Sequence, residues 1–115
     1  MTKGFLTTHV LDTARGVPAA GMVVDLYRFS DGERRHLAQM TTNADGRTDS
    51  PILPAEAFAV GRYELVFQVG AYFERADDPP FLDDIPIRFG INDPDSHYHV
   101  PLLVSPFGFS TYRGS

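Results

Sequence analysis

The sequence contains no cysteine and has fewer basic than acidic side chains. Lys and Arg together number 10 against 15 Asp and Glu, which gives a formal net charge of -5. Without cysteine, disulfide bonds and thiolate chemistry are excluded, and a reducing compartment is allowed. Because nucleic-acid phosphates are bound by basic surfaces, the negative charge argues against nucleic acid as a partner.

Long apolar runs are also missing. The first nine residues, Met1 to His9, contain no run long enough for a signal peptide or a membrane span. We therefore expect a cytoplasmic protein with no membrane partner. The apolar content of 43% and charged content of 22% are typical of a globular chain. A length of 115 residues fits one domain over 1–115.

Turn-forming residues recur at short intervals, and segments rich in β-branched and aromatic residues lie between them. This spacing predicts an antiparallel β-sandwich or barrel. The alternation of apolar and polar residues over 63–69 and 85–91 indicates two half-buried strands. Further strands are predicted at about 5–12, 21–30, 35–43, 97–105 and 108–113, and a short helix within 70–76.

The segment 97–105 has apolar residues on both of its predicted faces. Alternation assigns Tyr98, Val100, Leu102 and Val104 to the core, and His97, His99, Pro101, Leu103 and Ser105 to the opposite face. Pro101 has no N–H and so suits an edge or a bulge. In the first strand, Leu11 similarly shares a face with Phe5 and His9. Such faces predict that this sheet packs against another subunit. Phe107 and Phe109 are expected to face the core.

Only a few residues can carry chemistry. His97 and His99 are two apart in a strand and so point the same way, whereas His9 lies in the middle of another strand. Arg47 follows Gly46 in a tight turn. His36 has no obvious partner and is predicted to be a surface residue. For the other histidines, structural, acid–base and metal-binding roles remain open, and spacing alone does not join His9, Arg47 and His99 into one site.

Several segments along the chain form a joint pattern of motifs. They are Leu6–Asp12 with Gly16–Ala19, Thr42–Thr48, Gly61–Phe67, His97–Pro106, Gly108 and Thr111–Ser115. Together they resemble the 5-hydroxyisourate hydrolases, the enzymatic branch of the transthyretin-like proteins, in which the first segments are similar to the start of the family and Gly61–Phe67 to its central strand. The final tetrapeptide, Tyr112–Ser115, separates the hydrolases from the hormone-carrying transthyretins.

The resemblance implies an all-β, two-sheet, prealbumin-like sandwich with one short helix, over a single domain 1–115. It implies a homotetramer, a dimer of dimers, with sites between the dimers. The implied reaction is hydrolysis of 5-hydroxyisourate, the product of urate oxidase, to 2-oxo-4-hydroxy-4-carboxy-5-ureidoimidazoline, without a cofactor. The positions that match the active site of the family are His9, Arg47 and His99 as catalytic residues, and Tyr112, Arg113, Gly114 and Ser115 around the substrate.

The chemistry of these residue types fits such a reaction. Water attack on an acyl carbon needs a base, an acid for the leaving nitrogen and positive charge for the oxyanion. Imidazole titrates near neutral pH, so either His99 or His9 could be the base, with the other orienting water or substrate. Arg47 could hold substrate oxygens through its planar guanidinium. With no serine or cysteine in a recognisable nucleophile setting, direct attack by water is favoured.

Two alternatives remain open. The first is a transthyretin-like carrier that binds an aromatic ligand, although a carrier channel would favour apolar linings over histidines and Arg47. The second is a zinc site made of His9, His97 and His99, because three imidazoles can hold a catalytic zinc ion with one open position. The reaction itself does not require the metal, so no metal ligand is assigned.

Overall fold

Two four-stranded sheets form the architecture of the computed structural model, which describes residues 3–114. The first sheet has the strand order β2–β1–β7–β8, with β1 Phe5–Asp12, β2 Val17–Pro18, β7 His97–Ser105 and β8 Gly108–Thr111. The second has the order β4–β3–β5–β6, with β3 Val23–Ser30, β4 Glu33–Thr41, β5 Gly61–Gln68 and β6 Asp84–Ile91. A short helix, α1, spans Val69–Phe73, and a 3-10 turn spans Ala55–Ala57. The predicted all-β, two-sheet sandwich with one short helix is confirmed.

The predicted strand bounds agree best where alternation is strongest. β1 and β7 begin and end where the sequence predicts. β3 begins two residues later than predicted, and β4 is displaced by two residues toward the N-terminus. The two-residue strand β2 was not predicted, because Gly16 and Pro18 indicate only a turn. The helix begins at Val69, one residue before the predicted segment.

β1 and β7 pair in parallel, in contrast to the antiparallel sandwich that the turn spacing predicts. The register runs from Phe5 opposite His97 to Asp12 opposite Val104. Alternation along a strand indicates its faces but not the direction of its partner, so this prediction was wrong for the pair. The parallel register decides which side chains of β1 lie beside the histidines of β7.

The core lies between the inner faces of the two sheets. In β1 every second residue is buried, and Leu6 and Val10 are 0% exposed. The largest fully buried aromatic side chains are those of Tyr63 and Phe67 on β5. Tyr98, Val100, Leu102 and Val104 of β7 are all buried, which confirms the predicted core face of that strand.

The short helix is tied to the first sheet by a buried hydrogen bond. The hydroxyl of Tyr72 in α1 donates to Oδ2 of Asp12 at 2.9 Å, and the side chain of Asp12 is fully buried. Burial and the Asp12 carboxylate together raise the pKa of Tyr72. Asp12 also accepts hydrogen bonds from the backbone N–H groups of Ala14 and Arg15, so the turn after β1 is held at the same point.

Two predictions for the C-terminal strands were wrong. Pro101 does not lie on an edge: β7 is an inner strand, paired with β1 on one side and β8 on the other. Its missing N–H is tolerated because the ladder between β7 and β8 stops at the pair Leu102–Thr111.

Phe107 and Phe109 do not face the core, since they are 61% and 46% exposed. β8 is an edge strand of the sheet, and all four of its residues are exposed.

The outer face of the second sheet carries a polar network that the sequence did not indicate. Glu64 is 2% exposed and accepts hydrogen bonds from Arg34 on β4 and Arg88 on β6, at 2.8 and 2.9 Å. His36 is exposed, as the sequence predicts. It nevertheless has a partner that the sequence does not show, since its Nε2 donates to Asp25 at 2.9 Å. Each partner comes from another strand of the sheet, and Arg34 reaches Glu64 across β3, which a single-strand pattern does not reveal.

Within residues 3–114, no helix is both long enough and apolar enough to cross a membrane.

Candidate active site on the outer face of the first sheet

The parallel pairing of β1 with β7 brings the candidate residues onto one surface. Side chains at alternate positions of the two strands lie on the side of the first sheet that faces away from the core, and all of them are half-buried except the buried Pro101. The register places Thr7 opposite His99, and His9 opposite Pro101. An antiparallel pairing would have put different residues beside His99, so the parallel register is what builds the site.

Thr7 connects the two histidines of β7. Its Oγ1 lies 2.6 Å from Nε2 of His97 and 2.7 Å from Nδ1 of His99. The ring of Phe5 stacks on His97, with the centroids 4.1 Å apart and the planes inclined by 12°. Both imidazoles are therefore held in defined orientations, and the Nδ1 of His99 is engaged. Sequence reasoning missed Thr7, because nothing in the β1 pattern shows that it faces His99.

Arg47 reaches the site through a tight turn. Gly46 has a φ of 74°, and a Cβ there would lie 2.4 Å from the backbone oxygen of Val10, so only glycine fits. Asn43 Oδ1 accepts hydrogen bonds from the N–H groups of Asp45 and Arg47, which fixes the turn. An isolated antiparallel bridge then joins Arg47 to His9. The segment thus lies against β1 and holds the guanidinium on the histidine side.

His9 is fixed by the same turn. Its Nε2 lies 2.8 Å from the backbone oxygen of Asp45. A carbonyl oxygen only accepts hydrogen bonds, so Nε2 must carry the proton and the neutral ring has its lone pair on Nδ1. His9 and His99 therefore present different nitrogens to solvent, which separates their chemical roles.

The C-terminal segment lies directly beside His99. The N–H of Gly114 donates to the carbonyl of His99 at 2.7 Å. A Cβ at position 114 would lie 2.7 Å from Cδ2 of the His99 ring, so the absence of a side chain allows the close approach. Tyr112 is 59% exposed and lines the same cleft as His99. Ser115 lies outside the described residues.

Arg113 lines the same cleft as the histidines, but its guanidinium contacts another ring. It lies over the ring of Tyr98, 4.1 Å from the ring centroid. Alternation explains this arrangement, because neighbouring residues of an extended segment point to opposite faces. Arg113 borders the cleft but anchors the segment that carries Tyr112 and Gly114.

Two open clefts meet at His97 and His99. The larger, about 880 Å³, is also lined by Ser96 and the segment Tyr112–Gly114. The smaller, about 320 Å³, is also lined by Thr7, Thr8, Arg47 and Thr48. A polar ligand of a few rings fits such a volume. The clefts connect the Arg47 turn and the C-terminal segment on opposite sides of His99.

His99 is the histidine whose titration is altered by the site. Burial lowers its pKa below 6.5, and the positive charge of Arg47 and the neighbouring His97 and His9 lower it further. The lowered pKa favours the neutral form of the His99 ring. Within residues 3–114 its Nε2 has no hydrogen-bond partner, which leaves a lone pair or an N–H for a ligand. The ring is able to accept a proton from water at neutral pH.

The described residues do not support the zinc alternative. Over residues 3–114, no group of three or more His, Cys, Asp or Glu side chains has a geometry that could hold a metal ion. Thr7 occupies the space between His97 and His99, and the Nε2 of His9 is taken by the Asp45 carbonyl. These contacts leave one nitrogen on each of the three rings, and in the described residues those nitrogens are not grouped as metal ligands.

Known proteins resemble this chain over nearly its whole length. The chain is 59% identical to 5-hydroxyisourate hydrolase 2 of Rhizobium meliloti (strain 1021), over 98% of both chains. It superposes on a crystal structure of (S)-allantoin synthase with a TM-score of 0.91 at 50% identity, covering 100% of this chain but only 46% of that one. It superposes on transthyretin from Sparus aurata with a TM-score of 0.85 at 26% identity, over 95% of both chains. The sequence model of the HIUase/Transthyretin family matches residues 6–114. The chain therefore belongs to the HIUase/Transthyretin family.

Proposed function

We propose that this chain is an enzyme that hydrolyses 5-hydroxyisourate to 2-oxo-4-hydroxy-4-carboxy-5-ureidoimidazoline, with His99 as the general base. The observation that carries this proposal is the position of the His99 imidazole in a cleft that it shares with Arg47, where burial and the guanidinium lower its pKa. The 59% identical relative, which is named for this reaction, supports the choice of substrate.

His99 is favoured over His9 as the base for a geometric reason. The Nε2 of His9 donates to the Asp45 carbonyl, so His9 is positioned by the turn and has its lone pair on the other nitrogen. In His99 it is Nδ1 that is engaged, by Thr7, which leaves Nε2 directed toward the ligand. We assign to His9 the orientation of water or substrate.

The reaction breaks one ring C–N bond and forms one C–O bond. His99 accepts a proton from water as the oxygen attacks the acyl carbon, and it returns a proton to the leaving nitrogen. Negative charge develops on the carbonyl oxygen during the attack. Arg47 stabilises it with a guanidinium that stays charged at any pH of interest.

The C-terminal segment completes the proposed site. The phenol of Tyr112 hydrogen-bonds the polar ring of the substrate, and Gly114 allows the segment to lie against the His99 ring. Arg113 acts indirectly, through its contact with Tyr98. We include Ser115 among the proposed substrate-binding residues because this position matches the active-site motif of the family.

We further propose a homotetramer, a dimer of dimers, located in the cytoplasm, in which residues 1–115 act as one hydrolase domain. The outer face of the first sheet supports the assembly, because Leu11 and Leu103 lie next to each other there and are only half-buried in a single chain. Apposition of two such faces would enclose the clefts around His99 and exclude water from them.

One experiment separates the enzyme from a transthyretin-like carrier. Fresh 5-hydroxyisourate is generated from urate with urate oxidase and added in about hundredfold molar excess over the protein. The decay of its ultraviolet absorbance is then followed. The enzyme should consume all of the substrate faster than buffer does. A carrier would protect or remove about one equivalent per site and leave the remaining decay at the buffer rate, which would refute hydrolysis.

A further inference from the structure

We propose that Thr7 is a positioning residue that decides which nitrogen of His99 carries the proton, and that Thr7 and His97 form a proton relay with it. This inference rests on the proposed hydrolysis by His99. It follows from the two short distances of Thr7 Oγ1, 2.6 Å to Nε2 of His97 and 2.7 Å to Nδ1 of His99.

The hydroxyl of Thr7 has only one proton for two neighbours. It must therefore donate to one imidazole and accept from the other, because two facing lone pairs would repel. If it donates to His97, then Nδ1–H of His99 donates to Thr7 and the lone pair of His99 lies on Nε2. If it donates to His99, then Nε2 carries the proton. Thr7 thus links the tautomers of the two histidines.

Only the first arrangement makes His99 a base toward the cleft. We assign it to the resting state: Thr7 donates to Nε2 of His97, and His99 donates from Nδ1 to Thr7. In free histidine the proton resides mostly on Nε2, so the arrangement requires the hydroxyl. The stacking of Phe5 on His97 holds the acceptor nitrogen in place.

The relay moves a proton without moving heavy atoms. When Nε2 of His99 takes a proton from water, Nδ1–H passes its proton to Thr7, and Thr7 passes its own to Nε2 of His97. The positive charge then lies on His97 and His99 is a neutral N–H donor. The reverse transfer returns a proton to Nδ1 of His99 as Nε2–H goes to the leaving nitrogen, so protons balance over the cycle.

The shift of charge has a physical reason. A cationic His99 is disfavoured by burial and by positive charge on Arg47, His97 and His9. Arg47 lies in the turn after Gly46, His9 lies in β1, and His97 lies in β7 itself. The turn carbonyl at Asp45 and the phenol of Tyr112 face the same region. Passing the proton to His97 relieves the buried His99 ring of the charge that these neighbours disfavour.

Two substitutions of Thr7 separate a hydrogen-bonding role from a packing role. Thr7→Val keeps the shape and removes the hydroxyl, whereas Thr7→Ser keeps the hydroxyl and removes a methyl group. Thr13→Val serves as the control, because the Thr13 hydroxyl donates only to the Val104 carbonyl. We expect Thr7→Val to lower kcat at least tenfold with little change in KM, and Thr7→Ser and Thr13→Val to stay within about threefold of the unsubstituted protein.

Nitrogen-15 NMR of the histidine rings tests the relay independently of turnover. In the unsubstituted protein at pH 8, His99 should be protonated at Nδ1, and in Thr7→Val it should revert to the Nε2–H form. An Nε2–H form in both proteins would overturn the proposal, as would equal kcat in Thr7→Val and Thr7→Ser.

A covalent adduct on Thr7, detected by mass spectrometry during turnover, would overturn it in favour of a nucleophilic threonine. If the unsubstituted protein does not accelerate 5-hydroxyisourate decay, the hydrolysis fails, while the NMR result still decides the tautomer.

Discussion

The backbone N–H of Gly114 donates to the carbonyl of His99 at 2.7 Å, and no side chain separates the two residues. The pair continues the register of β7 with β8 beyond the point where the ladder stops, since Leu102 faces Thr111 and His99 faces Gly114. The segment after β8 is therefore fixed relative to the proposed base by a main-chain contact.

Adding one methyl group at this contact should impair activity with little effect on the fold. The Cβ of Gly114→Ala would lie 2.7 Å from the His99 ring, so either the ring or the segment must move. We expect kcat/KM to fall at least about tenfold, because displacements of about 1 Å at a reacting group are costly. Gly108→Ala is the matched control in β8, where the added Cβ meets only Ser105 Oγ at 3.9 Å. Equal activity of the two variants would show that the contact is not needed.

The pH dependence of kcat/KM should report the lowered pKa of His99. Burial and Arg47 disfavour the charged ring, so His99 stays neutral and able to accept a proton until the pH falls below 6.5. The acid limb should therefore have its midpoint below 6.5. In Arg47→Met, the remaining activity should show a midpoint displaced upward, toward 6.5, because a neighbouring positive charge has been removed. A midpoint above 6.5 in the unsubstituted protein would contradict this assignment.

Stability should depend on the buried carboxylate of the second sheet. Burial raises the pKa of Glu64, but hydrogen bonds from Arg88 and Arg34 outweigh it and leave the pKa below 4.5. A lowered carboxyl pKa contributes stability above the unfolded value, and this is lost as the pH falls through the folded value. Glu64→Gln should cost about 1–3 kcal/mol in urea unfolding at pH 7. The difference from the unsubstituted protein should shrink below pH 4.5, and a difference that is constant with pH would refute the role of charge.

Self-association should depend on the outer face of the first sheet. Light scattering is expected to give a mass near four times 12.8 kDa. A charge on the half-buried apolar positions, as in Leu103→Asp, should dissociate the assembly, because a carboxylate cannot be buried there without a partner. The dissociated protein should retain its circular dichroism spectrum and lose activity. A fully active monomer would show that the site is complete in one chain.

The sequence predicts the strands that carry the site better than it predicts the site. β1 and β7 alternate so regularly that their bounds and core faces are recovered in full. The parallel pairing between them is not encoded in either pattern, and without it Thr7 has no visible relation to His99. For the same reason the pattern of β5 does not show that Glu64 is buried, since its arginine partners come from β4 and β6. His36 acquires its partner Asp25 in the same way.

The C-terminal positions show a different limit. The resemblance groups Tyr112, Arg113 and Gly114 as substrate-binding residues, but an extended backbone turns consecutive side chains to opposite sides. The structure accordingly has Arg113 over Tyr98, while Gly114 contacts His99. A motif identifies which residues lie together in sequence, whereas the register of the strand decides what each of them contacts.

The most direct test compares two histidine substitutions in the 5-hydroxyisourate decay assay at pH 7.5. His99→Asn removes the proposed base, while His36→Asn removes a histidine of equal size on the other sheet, where it contacts Asp25 and Tyr27. The proposed mechanism expects His99→Asn to lose about a hundredfold or more in kcat and His36→Asn to remain near the unsubstituted rate, with both variants folded. Near-normal turnover by a folded His99→Asn protein would contradict the central claim.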